Sequence, residues 1–272
     1  MALLLILIIY SVTFSYNTVQ SLDHQIFLIL KKQPSEVTID FSQSIGELKK
    51  LINGITPMAI INNNLLLIIM IGPIISSTIG AIIVGSEFKQ RTVVIKASHY
   101  GWTQSVISKI MLLLALSIAL PIFVTILSYI EGYIVFNWAK DHLHHNELVT
   151  LKHIKIKIFS QIIVSIFTLF FYGSIGLFFS LISRSTLIGG IVAFLIPYID
   201  KFLASFSLES LFPTTWLSIL IKNNFTLFEN SFASPTYLPN TDMKTSSVFL
   251  LFVCLILIVC FANIYVSKNQ KI

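Results

Sequence analysis

The chain is short of charge. Asp, Glu, Lys and Arg make up 11% of its 272 residues, less than half of the roughly 25% found in ordinary soluble domains. Hydrophobic residues reach 55% and the mean hydropathy is +0.86, which rules out a soluble globular protein. Disordered and collagen-like chains need a different composition and are ruled out as well. Cysteine is scarce too. Cys254 and Cys260 fall inside one long apolar run, so they read as membrane-embedded thiols and not as a disulfide staple or a zinc site. Several chemical signatures are also missing. There is no Gly-x-x-x-x-Gly-Lys-[Ser/Thr] loop to cradle phosphates, no His-Glu-x-x-His helix, no Gly-x-Ser-x-Gly elbow and no paired intramembrane aspartates. The chain is therefore not expected to be an enzyme or to bind a cofactor itself. Its basic residues are too scattered for a nucleic-acid face. What remains is an all-α polytopic membrane protein.

A helix needs about 20 apolar residues to cross roughly 30 Å of hydrocarbon. The stretches free of acidic and basic residues mark six candidate spans, at about 1–22, 62–85, 110–132, 158–183, 185–204 and 246–267. The fifth is the shortest. Only the 15 residues Ser185–Ile199 are uncharged before Asp200 and Lys201, about 22 Å of helix, so Arg184 must snorkel for this segment to cross. The first span lacks the basic leader and small-residue cleavage site of a signal peptide, and is expected to be retained.

Orientation follows from the basic residues. With both termini cytoplasmic, the inner segments carry Lys89, Arg91, Lys96, Lys109, Arg184, Lys268 and Lys271 against one acid, Glu87. The rest of the chain balances, and the whole net charge of +6 lies on the inner side. Three outer loops follow, 23–61, 133–157 and 205–245. The last contains Leu208–Ile221, an amphipathic stretch with Pro213 and Trp216. It reads either as a short re-entrant or interfacial helix covered by other protein or as a surface loop with an aromatic anchor. Inverted repeats, common in secondary carriers, are not visible.

The cytoplasmic loop 86–109 and the span that enters it are the most informative region. Gly72, Ser76, Ser77 and Gly80 recur at three- and four-residue spacing, which lets helices approach closely in lipid. They mark a helix-packing face or a dimer seam. Pro73 is expected to kink or unwind the span locally. Beyond it, Glu87, Lys89, Arg91 and Lys96 alternate with Phe88, Val93, Val94 and Ile95. That pattern predicts a short helix at the membrane surface, with Trp102 as interfacial anchor and Lys109 opening the next span. Such an element either receives force from a soluble partner or simply anchors the positive side.

This order of features resembles the ABC-2 type permease family, the membrane subunits of ATP-driven exporters: a Gly-Pro span with small residues, Glu87-Phe88 followed by Thr92, an aliphatic run, then Ser108-Lys109. The resemblance implies a coupling helix that docks on a separate ATP-binding subunit, carried here by Glu87, Phe88, Arg91, Thr92, Trp102 and Lys109. It implies that ATP and Mg bind that cytoplasmic subunit, and that a second permease copy or sister permease completes the transporter within the bilayer. It also implies export of an amphipathic substrate such as an antimicrobial or toxic peptide across a bacterial cytoplasmic membrane. In one departure, the position two after the Thr, often basic in the family, is Val94, with Lys96 displaced. An alternative is a non-transporting sensor or immunity protein that binds peptide at its outer loops.

Glu131 and Asp200 close spans three and five on the outer side. They either line an outward cavity that meets a cationic substrate or rest in interfacial water. Asp141-His142-Leu143-His144-His145-Asn146-Glu147 holds metal-ligating residue types in one short loop. Neighbours in a loop converge on an ion only with a folded scaffold, so no metal is expected.

Overall fold

The computed structural model describes residues 54–142, 156–192, 213–226 and 244–270, with 11–13, 16–17, 19–21, 23–24 and 195–196. Among the described residues the chain is helical and contains no strand. Six elements carry it: α1 (Pro57–Lys89), α2 (Thr92–Tyr100), α3 (Trp102–His142), α4 (Ile158–Ser183), α5 (Pro213–Asn224) and α6 (Thr245–Asn269). Residues 186–192 are also helical. Four of these helices, α1, α3, α4 and α6, are long and apolar enough to cross a membrane. Candidate spans 1–22 and 185–204 lie partly outside the described residues.

The helices overrun the expected spans. The 33 residues of α1 and the 41 of α3 amount to about 50 Å and 60 Å of helix, well beyond the hydrocarbon thickness. A charged residue at the interface does not stop a helix, because backbone hydrogen bonding continues past it. What stops one is a conformational break. Arg91, at φ 55°, and Gly101, at φ 80°, flank α2 with left-handed or extended-positive turns. Loop 86–109 is therefore almost entirely helical, and loop 133–157 begins as helix up to His142. Pro57 opens α1, where its missing N–H costs no hydrogen bond. Pro73, expected to kink or unwind the span, lies within continuous helix, so the span is not unwound there. Beside it the Ser77 and Thr78 hydroxyls both donate to the Ile74 carbonyl, at 2.9 and 2.8 Å.

The described residues divide into two compact units, one formed by 1–66, 123–158 and 225–234, the other by 67–122, 159–224 and 235–272. In the larger, α1 and α4 meet at backbone distance. A Cβ on Gly80 would overlap the carbonyl of Gly173, and one on Gly176 would overlap the carbonyl of Ser77. Ser180 donates to the carbonyl of Ala81 at 3.0 Å. Gly72, Pro73, Ser76, Ser77 and Gly80 are all buried, and Gly72 faces Leu169 of α4. The face that could have met a second copy is occupied from within the chain. Without a hydrophobic drive between helices in lipid, van der Waals contact at such a seam supplies the attraction. Accordingly 67% of the apolar window of α4 is buried, against 22% for α6.

Around the seam, Phe171 packs against Phe252 of α6 with centroids 5.2 Å apart, and Asn263 of α6 donates to the Ser174 carbonyl. Helix α5 falls in the stretch read as re-entrant helix or surface loop. It packs on α6 and buries Trp216, Leu217 and Leu220, while Gln161 of α4 donates to the Asn224 carbonyl at 2.9 Å. Residues 208–212 lie outside the described residues.

Two glycine substitutions separate the seam from a bystander. Gly176→Ala should cost about 1–3 kcal/mol through overpacking, seen as a lower melting temperature of the full chain in detergent. Gly190→Ala, where a Cβ meets nothing within 4 Å, should leave it unchanged; equal melting temperatures would contradict the seam.

Candidate functional site

Five of the six residues that the coupling pattern singled out converge in the larger unit. Glu87, in the last turn of α1, and Lys109, two turns into α3, form an ion pair with both side chains about 90% buried. Trp102, the first residue of α3, is 6% exposed, and the Lys109 ammonium lies over its ring, 4.7 Å from the centroid. Phe88 meets the same ring edge-on, with centroids 5.5 Å apart. Thr92 donates its hydroxyl to the Glu87 carbonyl at 3.4 Å. Arg91 stands apart, exposed in the left-handed turn, its backbone N–H donating to the Phe88 carbonyl at 3.2 Å.

The local sequence explains the convergence. Glu87 ends a long apolar helix and Lys109 lies near the start of the next, so the α2 hairpin returns one charge to the other. Two charges taken out of water repay their desolvation only through good mutual geometry and further contacts. The Trp102 face supplies one such contact by cation–π attraction.

Helix α2 is buried on one side and exposed on the other. Val93 is 3% exposed, whereas its neighbours Val94 and Ile95 are each 61% exposed, and Lys89 and Arg91 are exposed beside them. The result is a short helix with exposed apolar side chains and a basic flank, next to the buried pair.

A residue that the sequence did not single out completes the cluster. Gln270, the C-cap of α6, accepts from the Trp102 indole N–H at 3.1 Å and donates to the Leu181 carbonyl at 2.6 Å. In sequence it is one polar residue in a polar tail, and no pattern distinguishes it.

The smaller unit holds a second polar group. Glu131 accepts from the Ser11 hydroxyl at 2.6 Å and from the Asn64 amide at 3.4 Å, and Asn64 also donates to Ser128 at 2.8 Å. The neighbouring Asn62, fully buried, grips the backbone of Thr226 from both sides: its Nδ2 donates to the carbonyl at 2.8 Å and its Oδ1 accepts from the N–H at 3.0 Å. Three successive asparagines at the edge of an apolar run, Asn62 to Asn64, were the available signal. Tyr16 stacks on Trp138 at 5.4 Å in the same unit. Asp200 lies outside the described residues, as do residues 143–147 of the histidine-rich segment. Among the described residues no three His, Cys, Asp or Glu side chains group as metal ligands.

Four long apolar helices make this chain a multi-pass membrane protein. Compared with protein-family models, with curated proteins and with solved structures, it matches none.

Breaking the ion pair from one side leaves a buried charge uncompensated. Lys109→Met should cost about 3–5 kcal/mol in denaturant-driven unfolding in micelles, and adding Glu87→Gln to it should recover most of that loss. A double variant no more stable than Lys109→Met would show that the pair is not the source of the stability.

Proposed function

We propose that this chain is the membrane-embedded permease subunit of an ATP-driven exporter of the ABC-2 type, with α2 as its coupling helix. The observation that supports the reading most is the buried Glu87–Lys109 pair beneath Trp102. It fixes a short helix between two long apolar ones and leaves Val94 and Ile95 exposed for a partner. A helix that is to transmit force must not rock on its base, and a dry ion pair with a cation–π contact resists rocking better than aliphatic packing alone.

On this reading both termini and α2 face the cytoplasm, where the seven basic residues of that side meet the positive-inside bias. Six spans cross the membrane. ATP and Mg bind a separate cytoplasmic subunit, which takes up the apolar face of α2. Closure of that subunit pushes α2, and α1 and α3 tilt with it because the pair binds their ends together. The Gly72–Gly80 face is already taken by α4, so a second permease copy would join through another surface. The cargo is an amphipathic molecule, with an antimicrobial or toxic peptide as the favoured class. Glu131, held by Ser11 and Asn64, would reach a cationic cargo only by exchanging those hydrogen bonds for it.

The partner is the deciding element. The full chain isolated from its native membrane in mild detergent should retain a nucleotide-binding subunit. The double variant Val94→Asp/Ile95→Asp should lose that subunit while keeping its own yield and melting temperature, since both side chains point outward. An unmodified chain that retains no nucleotide-binding subunit and moves or senses peptide alone would overturn the exporter reading in favour of a sensor or immunity protein.

A further inference from the structure

Three helix ends meet at Gln270. Its backbone is fixed as the cap of α6, where its N–H donates to the Val266 carbonyl at 3.0 Å. Its side-chain amide then faces two groups that both need a partner. The Trp102 indole N–H, on a ring 6% exposed, must find an acceptor, and Gln270 Oε1 provides it at 3.1 Å. Leu181 lies in the last turn of α4, where carbonyls have no partner within their own helix, and Gln270 Nε2 donates to it at 2.6 Å. A primary amide carries one acceptor and one donor group at this spacing. Glutamate would keep the acceptor and lose the donor; leucine would lose both.

We propose that Gln270 is a positioning residue that clamps the start of α3, the end of α4 and the end of α6 into one body with the Glu87–Lys109 pair. The contacts run without a gap from Glu87 to Lys109, from Lys109 to the Trp102 ring, from the indole N–H to Gln270, and from Gln270 to Leu181. Displacement of α2 then reaches α4 and α6 as well as α1 and α3. Removing the amide would cut this direct route and leave only the mid-helix contacts of α1 with α4 and of α4 with α6 to carry the displacement. This transmission role rests on the exporter reading; the clamp itself does not.

The test uses the full chain in nanodiscs with fluorotryptophan at its three tryptophans, the Trp102 fluorine resonance being assigned by its loss in Trp102→Phe. Gln270→Leu should shift or broaden that resonance and leave those of Trp138 and Trp216 in place. Gln270→Glu should hold it close to its original position. Both variants should raise amide hydrogen exchange over the last turn of α4. An unmoved Trp102 resonance with unchanged exchange in Gln270→Leu would overturn the clamp.

With the ATP-binding subunit attached, Gln270→Leu should leave assembly intact and lower cargo moved per ATP by about 5-fold or more, the scale of a modest coupling energy. A moved resonance with an unchanged ratio would overturn the transmission role alone. Absence of any ATP-binding subunit from the unmodified chain would sink the exporter reading, and the fluorine and exchange results would still decide the clamp.

Discussion

A glutamate and a lysine buried together at the ends of two apolar helices set the terms for everything around them. Neither charge tolerates the site alone, because a lone ion in a medium of low dielectric constant loses far more solvation than its surroundings return. Together they require α1 and α3 to end and begin within reach of each other, which the nine-residue α2 and its two turns achieve. The Trp102 ring seals one side of the pair, and the indole N–H thereby buried demands an acceptor in turn. That acceptor comes from the cap of α6. One electrostatic constraint thus recruits an aromatic ring, a hydrogen bond and a helix end.

Lipid sets the second constraint. Where hydrocarbon surrounds the helices, apolar side chains gain nothing by moving from lipid to protein. Cohesion must come from close approach, and α1 and α4 achieve it by presenting glycine and serine where their backbones touch. The outward faces of α3 and α6 remain large and apolar, with Met111, Ile126, Ile258 and Phe261 all more than half exposed. That exposure suits acyl chains and would be untenable in water. The two constraints work at different places in the larger unit: the seam holds the middle of the helices, and the ion pair with its attendants holds one end.

Much of this was legible in the residues. Charge-free runs located the four long helices, because ionisable side chains are excluded from hydrocarbon. The spacing of Gly72, Ser76, Ser77 and Gly80 marked a packing face, although spacing alone could not say whether the partner helix lay in the same chain; Gly173 and Gly176 of α4 answer that. The alternation around Val93 to Ile95 marked α2. Helix ends are not legible in the same way, since α3 runs from Trp102 to His142, past both ends of the charge-bounded span 110–132. Charge marks where a membrane ends, and it does not mark where a helix ends. Gln270 and the partners of Glu131 were not foreseeable, because a hydrogen bond between residues 168 positions apart, as between Trp102 and Gln270, leaves no periodic trace.

On the proposed reading, α2 is the surface on which an ATP-binding subunit works. The most direct measurement places a photo-crosslinking amino acid at Ile95 in the native cell, irradiates, and identifies what becomes attached. The expected result is a covalent adduct with a nucleotide-binding polypeptide, its yield changing when ATP is depleted. Adducts with lipid alone, or with a polypeptide on the outer face of the membrane, would contradict it.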